Sequence, residues 1–168
     1  LNGGASHWAD RAAMIPGSAT RYTNNGRPVD DLPEGFYSST WYTDQIITYL
    51  DTGKGDETPF FAYLSFTAPH NPLHAPREYI DRYKGRFDGG WDELAKARLA
   101  RQRDLGLVDE DQRPQPRPAW IMGWDELNPA QRASRARDME IYAAMIDHMD
   151  ASIGRLFDYL RHIGNYED

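Results

Sequence analysis

The stretch from Pro59 to Pro76, PFFAYLSFTAPHNPLHAP, constrains this chain more than any other. Its first half, Phe60 to Phe66, is a short, almost unbroken apolar run rich in aromatics, the pattern of a strand buried on both faces of a parallel sheet. Its second half, Thr67 to Pro76, is punctuated by Pro69, Pro72 and Pro76. Each proline fixes its own φ and pushes the preceding residue toward extended geometry. His70 and His74 are therefore expected on a stiff loop that leaves the carboxyl end of a strand, where open α/β sheets collect ligands. This loop is the leading site candidate.

Two histidines four residues apart raise the question of a shared metal. If the loop is extended at about 3.1 Å per residue they stand about 12 Å apart, whereas two ligands about 2.1 Å from zinc lie within about 4 Å of each other. A shared ion is disfavoured unless the loop turns sharply. The other role for such an imidazole is to donate a hydrogen bond to an anion or a leaving oxygen, which its near-neutral pKa suits. The residues alone leave His70 open between that role and a structural one.

Composition narrows the function classes. At 168 residues, 40% of them apolar, the chain is long enough for one domain with a real core. A net charge of −7 with no basic stripe argues against nucleic acid as a partner. With no cysteine there is no disulfide framework, thiolate nucleophile or cysteine-based zinc site within these residues. No apolar run approaches the roughly 20 residues that span a bilayer. The chain begins with Leu1 instead of Met, so a piece of a longer protein is expected, and its compartment is left open.

Along the chain, residues 1 to 35 read as loop, broken at Gly3-Gly4, Pro16-Gly17 and Asn24-Asn25-Gly26, with a tight hairpin turn expected at the last of these. His7 sits in this polar segment and reads as a solvated surface residue. Ser38-Ser39-Thr40 offers N-cap hydroxyls to a helix from about Tyr42 to Leu50, with Ile46, Ile47 and Leu50 on one side and Gly53 as its stop. Pro76 opens a short helix over Arg77 to Tyr83 that Gly85 closes. Trp91 to Leu107 has high helix propensity, and the proline-rich segment from Gln112 to Pro118 should run extended. Asn128 then caps, and Pro129 starts, a long helix to about Ile163 before Gly164. Its stripe of Met139, Tyr142, Ile146, Met149, Ile153, Leu156 or Phe157, and Leu160 should lie across a sheet. One predicted strand does not make a sheet, so the piece reads as the interior of a larger α/β domain.

Acidic pairs are plentiful, among them Asp30-Asp31, Asp56-Glu57, Asp125-Glu126 and Glu167-Asp168, but none has a spacing that singles out a general acid and base. Asp150 is the one acid placed near the apolar stripe and expected to be partly buried. There is no glycine-rich phosphate loop, G-x-S-x-G elbow or H-E-x-x-H.

The segment PFFAYLSFTAPHNPLHAPREYIDRYKGRFD resembles the middle of the type I, formylglycine-dependent sulfatases, in particular the bacterial arylsulfatases, where a strand runs into an A-P-H-x-P-L-x-A-P loop. More weakly, LPEGFYSSTWYTDQIITYL resembles the segment before that strand, and Met139 to Gly164 the long helix after it. The resemblance implies an alkaline-phosphatase-like α/β domain, a mostly parallel central sheet flanked by helices. This chain would supply an interior portion of that single domain, with a helical insertion at about residues 85–128. It implies hydrolysis of small-molecule sulfate esters, and it carries over one catalytic residue, His70, as the contact to the sulfate group. His74 would line the substrate pocket. The implied Ca2+ ligands lie elsewhere, as does the formylglycine made in a C/S-x-P-x-R motif. The latter is expected upstream of Leu1 and a D-N-G metal motif after Asp168, so the partner of this piece is the remainder of the sulfatase chain and the piece alone should be inactive. The alternatives are a phosphonate or phosphate-ester hydrolase of the same superfamily, or a noncatalytic binding protein that keeps the fold.

Overall fold

A computed structural model describes residues 6–12, 19–53 and 59–166. The breaks expected at Gly3-Gly4 and Pro16-Gly17 and the acid pairs at 56–57 and 167–168 lie outside them. Two short strands, β1 (Thr23–Asn24) and β2 (Arg27–Pro28), form an antiparallel hairpin. Asn25 and Gly26 at its tip take φ of 50° and 76°, the left-handed conformation that a two-residue hairpin turn demands. Four helices follow: α1 (Ser38–Thr52), α2 (Arg77–Asp81), α3 (Gly90–Asp104) and α4 (Pro129–Ile163), with a 3₁₀ turn at Trp124–Glu126. None of the described helices is long and apolar enough to cross a membrane.

Helix α4 is the spine. Asn128 Oδ1 accepts the N–H of Gln131, the Gln131 side chain accepts the N–H of Asn128, and Gly164 closes the far end at φ 82°. Both ends stand where the sequence places them. Helices α1 and α2 pack on α4, but on an unexpected face. The buried residues of α4 include Ala136, Glu140, Ala144, His148 and Ser152, which recur every fourth position, together with Met145. The apolar stripe read from the sequence stays half-buried or exposed, with Ile146 and Phe157 both 40% accessible. Small side chains admit close helix approach, and α1 answers with a buried face of Ser38, Ser39 and Thr43 instead of Ile46, Ile47 and Leu50. Arg155 pairs with Asp44, and the Tyr159 hydroxyl donates to Asp51 at 3.1 Å, so the α1–α4 seam is polar at its rim.

Three further expectations change. Residues 60–66 pair with no strand among the described residues, and Phe61 is 91% and Tyr63 79% exposed. A strand exists only through ladder hydrogen bonds to a neighbour, and none of the described segments provides one. Helix α1 starts at Ser38, earlier than its hydroxyl run suggests, and no side chain caps it. The N–H of Ser38 instead donates to the carbonyl of His7 at 2.9 Å. Helix α2 ends at Asp81, short of Tyr83, and passes through turns that include Gly85. The segment 112–118 is without helix or strand, as its prolines require.

Candidate active-site loop

The run 60–66 passes beside α1, where the hydroxyls of Tyr42 and Thr67 lie 3.4 Å apart. The chain then turns sharply: the carbonyl of Thr67 accepts the N–H of His70 at 3.0 Å, and the Ala68–Pro69 and Asn71–Pro72 peptides are cis. The loop is thus a turn held at both flanks, not the extended strip its prolines suggest. Ala68 and Ala75 are buried in one cluster with Ile80, Ala144 and Met145, and Leu73 packs against it. Burying these small apolar side chains anchors the loop on α2 and α4 and leaves His70 exposed at its apex.

The imidazole of His70 is oriented by its own loop. Its Nδ1 lies 2.7 Å from the carbonyl oxygen of Asn71, which only accepts, so Nδ1 carries the hydrogen. Nε2 has no hydrogen-bond partner among the described residues. His74 is half-buried; its backbone carbonyl accepts the Tyr37 hydroxyl at 2.9 Å, and its Nδ1 is shut off from solvent with no hydrogen-bond partner among the described residues. Its ring stands edge-on to that of His7, with centroids 6.2 Å apart.

His7 corrects the sequence reading most sharply. It is fully buried, not solvated. Its Nδ1 lies 2.8 Å from Ser38 Oγ and its Nε2 3.1 Å from the carbonyl oxygen of His70. Burial is the main influence on its pKa and pushes it down, favouring the neutral ring. Tyr37, which lies against both His7 and Trp8, has its hydroxyl pKa raised by burial. Nothing in the local pattern of residues 1–35 marks His7, because its partners come from α1 and from the loop.

Two other buried titratable groups lie on α4, behind the loop. His148 is held between Tyr37 and Tyr79, ring centroids 4.6 and 4.7 Å away, with Nε2 3.3 Å from the Thr40 hydroxyl. Glu140 is buried beside Gly85 and Arg137. Asp150, expected to be partly buried, is exposed, because it falls on the side of α4 away from α1 and α2. Among the described residues no three His, Asp or Glu side chains come together to hold a metal ion. The described residues therefore do not by themselves make a calcium site.

Known proteins resemble this chain over nearly all of its length. The sequence model of the Sulfatase family matches residues 2–168. An uncharacterized sulfatase of Schizosaccharomyces pombe is 41% identical over 175 residues, covering 100% of this chain and 31% of its own length. An arylsulfatase of Klebsiella aerogenes is 40% identical over 166 residues, covering 98% of this chain and 35% of its own. The chain thus spans about a third of the length of the curated relatives it matches. Among solved structures, that of Ps i-CgsB in complex with k-i-k-neocarrahexaose superposes with a TM-score of 0.50 at 18% identity, over 88% of this chain and 21% of that one, a likeness of fold.

Proposed function

Given that the chain belongs to the sulfatase family, we propose that the whole protein hydrolyses sulfate esters and that His70 contacts the ester at the bond that breaks. The chain is part of an α/β sulfatase domain. The observation that carries the role of His70 is its geometry: an exposed imidazole on a loop anchored at both flanks, with Nδ1 held by Asn71 and Nε2 without a hydrogen-bond partner among the described residues. In its protonated form Nε2–H donates to a sulfate oxygen or to the leaving oxygen, which gains negative charge as the sulfur–oxygen bond breaks. In its neutral form Nε2 can only accept. The loop resists reorientation, so the donor is in place before the ester arrives.

His74 forms part of the pocket wall, with its buried Nδ1 available to a polar group that closes over the loop. The formylglycine nucleophile and the calcium ion belong to this reading through resemblance. Helix α3 and the proline-rich segment after it are read as an insertion, at about residues 85–128, that carries none of the chemistry.

The test is turnover of an aryl sulfate by the full-length protein. Replacing His70 by Ala is expected to lower kcat by two or more orders of magnitude, in line with loss of a general acid or charge-stabilising donor. Near-normal turnover removes His70 from the site. Comparing rates on aryl sulfate and aryl phosphonate esters separates sulfatase from phosphonate hydrolase activity, and the absence of both favours a binding role.

A further inference from the structure

We infer that His7 is a positioning residue for His70, fixing the catalytic loop to the first turn of α1 through both of its ring nitrogens. The inference rests on the reading of His70 given above. A fully buried imidazole needs a partner for each nitrogen, and His7 has both. The carbonyl of His70 can only accept, so Nε2 of His7 carries the hydrogen and donates to it. Nδ1 then holds a lone pair and accepts from the hydroxyl of Ser38. The neutral ring that burial favours is the form this arrangement uses.

His7 is tied to α1 twice, since its own carbonyl also accepts the N–H of Ser38 at 2.9 Å. The position of a rigid helix terminus is therefore passed to the backbone of His70. From there it reaches the imidazole, because His70 Nδ1 is bound to the next carbonyl in the chain. Removing the His7 donor leaves the His70 carbonyl without that bond and frees the loop apex to shift. Displacements of about 1 Å at a reacting group cost on the order of a hundredfold in rate.

The experiment uses the full-length protein and an aryl sulfate. His7→Phe keeps the bulk and removes both polar atoms, and is expected to lower kcat at least about tenfold with a smaller change in KM. His7→Gln places an N–H near the former Nε2 and is expected to restore kcat to within about threefold of the natural protein. A role in packing alone predicts the reverse order of the two variants. Normal kcat in folded His7→Phe, beside a much-reduced His70→Ala, overturns this inference and leaves the role of His70 intact. A His7→Gln variant no better than His7→Phe also overturns it. Unchanged turnover in His70→Ala sinks the reading of His70 and this inference together. Should both His7 variants fail to fold, nitrogen NMR of the natural protein with ¹⁵N-labelled histidine decides. An Nε2–H tautomer at His7 supports the inference, and an Nδ1–H tautomer overturns it because the bond to His70 cannot then form.

Discussion

The carboxylate of Glu140 accepts the backbone N–H of Gly85 at 2.7 Å, joining the middle of α4 to the turn that follows α2. Its second oxygen pairs with Arg137 at 2.8 Å, so a buried acid has both oxygens engaged. Glu140→Ala leaves the Gly85 N–H unpaired at a part-buried position and is expected to destabilise the protein by about 1–3 kcal/mol. Glu140→Gln, which can still accept from Gly85, should cost less. Denaturant midpoints of the two variants check the order.

The same carboxylate predicts a pH effect. Burial alone would raise its pKa, but Arg137, the Gly85 N–H and Lys84 outweigh burial and hold it below the usual 4.5. A depressed folded pKa contributes stability above the unfolded value and loses it as pH falls through the folded one. Stability should therefore drop below about pH 4.5, and Glu140→Gln should make that acid limb shallower.

His148 acts in a neighbouring window. Burial leads in lowering its pKa below 6.5, and Arg155 and Arg82 add to this, while Glu78 and Asp147 oppose it. The unfolded chain then binds a proton that the folded one refuses. The stability associated with neutral His148 is complete above 6.5 and declines as pH falls from 6.5 toward the lowered folded value. Thermal unfolding between pH 7 and 5 should show this slope, to which buried His7 contributes in the same direction, and His148→Gln should make it shallower; an unchanged slope removes His148 as one of its sources.

At Gly90, φ is 79° and a Cβ would overlap Cγ and Cδ2 of Trp124. Gly90→Ala combines left-handed strain with overpacking, and is expected to cost about 2–4 kcal/mol. Because Trp91 and Trp124 meet edge to face at 5.0 Å, tryptophan fluorescence should report the disturbance.

Asn128→Ala removes the cap of α4 and is expected to cost about 1 kcal/mol, with faster amide exchange confined to the first turn of the helix.

What the sequence determined by itself are the features whose causes lie within a few residues of one another. The two ends of α4 follow from Asn128, Pro129 and Gly164, and the hairpin tip follows from Asn25-Gly26. The lack of helix or strand at 112–118 follows from its prolines, and the A-P-H-N-P-L loop was legible as a family signature. Caps, turns and proline geometry are short-range interactions, and a linear reading finds them. The tertiary structure decided which faces became buried. Periodicity identified α4 as amphipathic, but α1 and α2 chose the face of Ala144, Met145, His148 and Ser152, where small side chains admit close approach, while Ala136 packs on Trp124 and Leu127. It also decided His7, whose partners stand 31 and 63 residues away along the chain. No local pattern encodes a contact at that separation. Only the folded chain brings a loop histidine, a helix terminus and the carbonyl of His70 to one point.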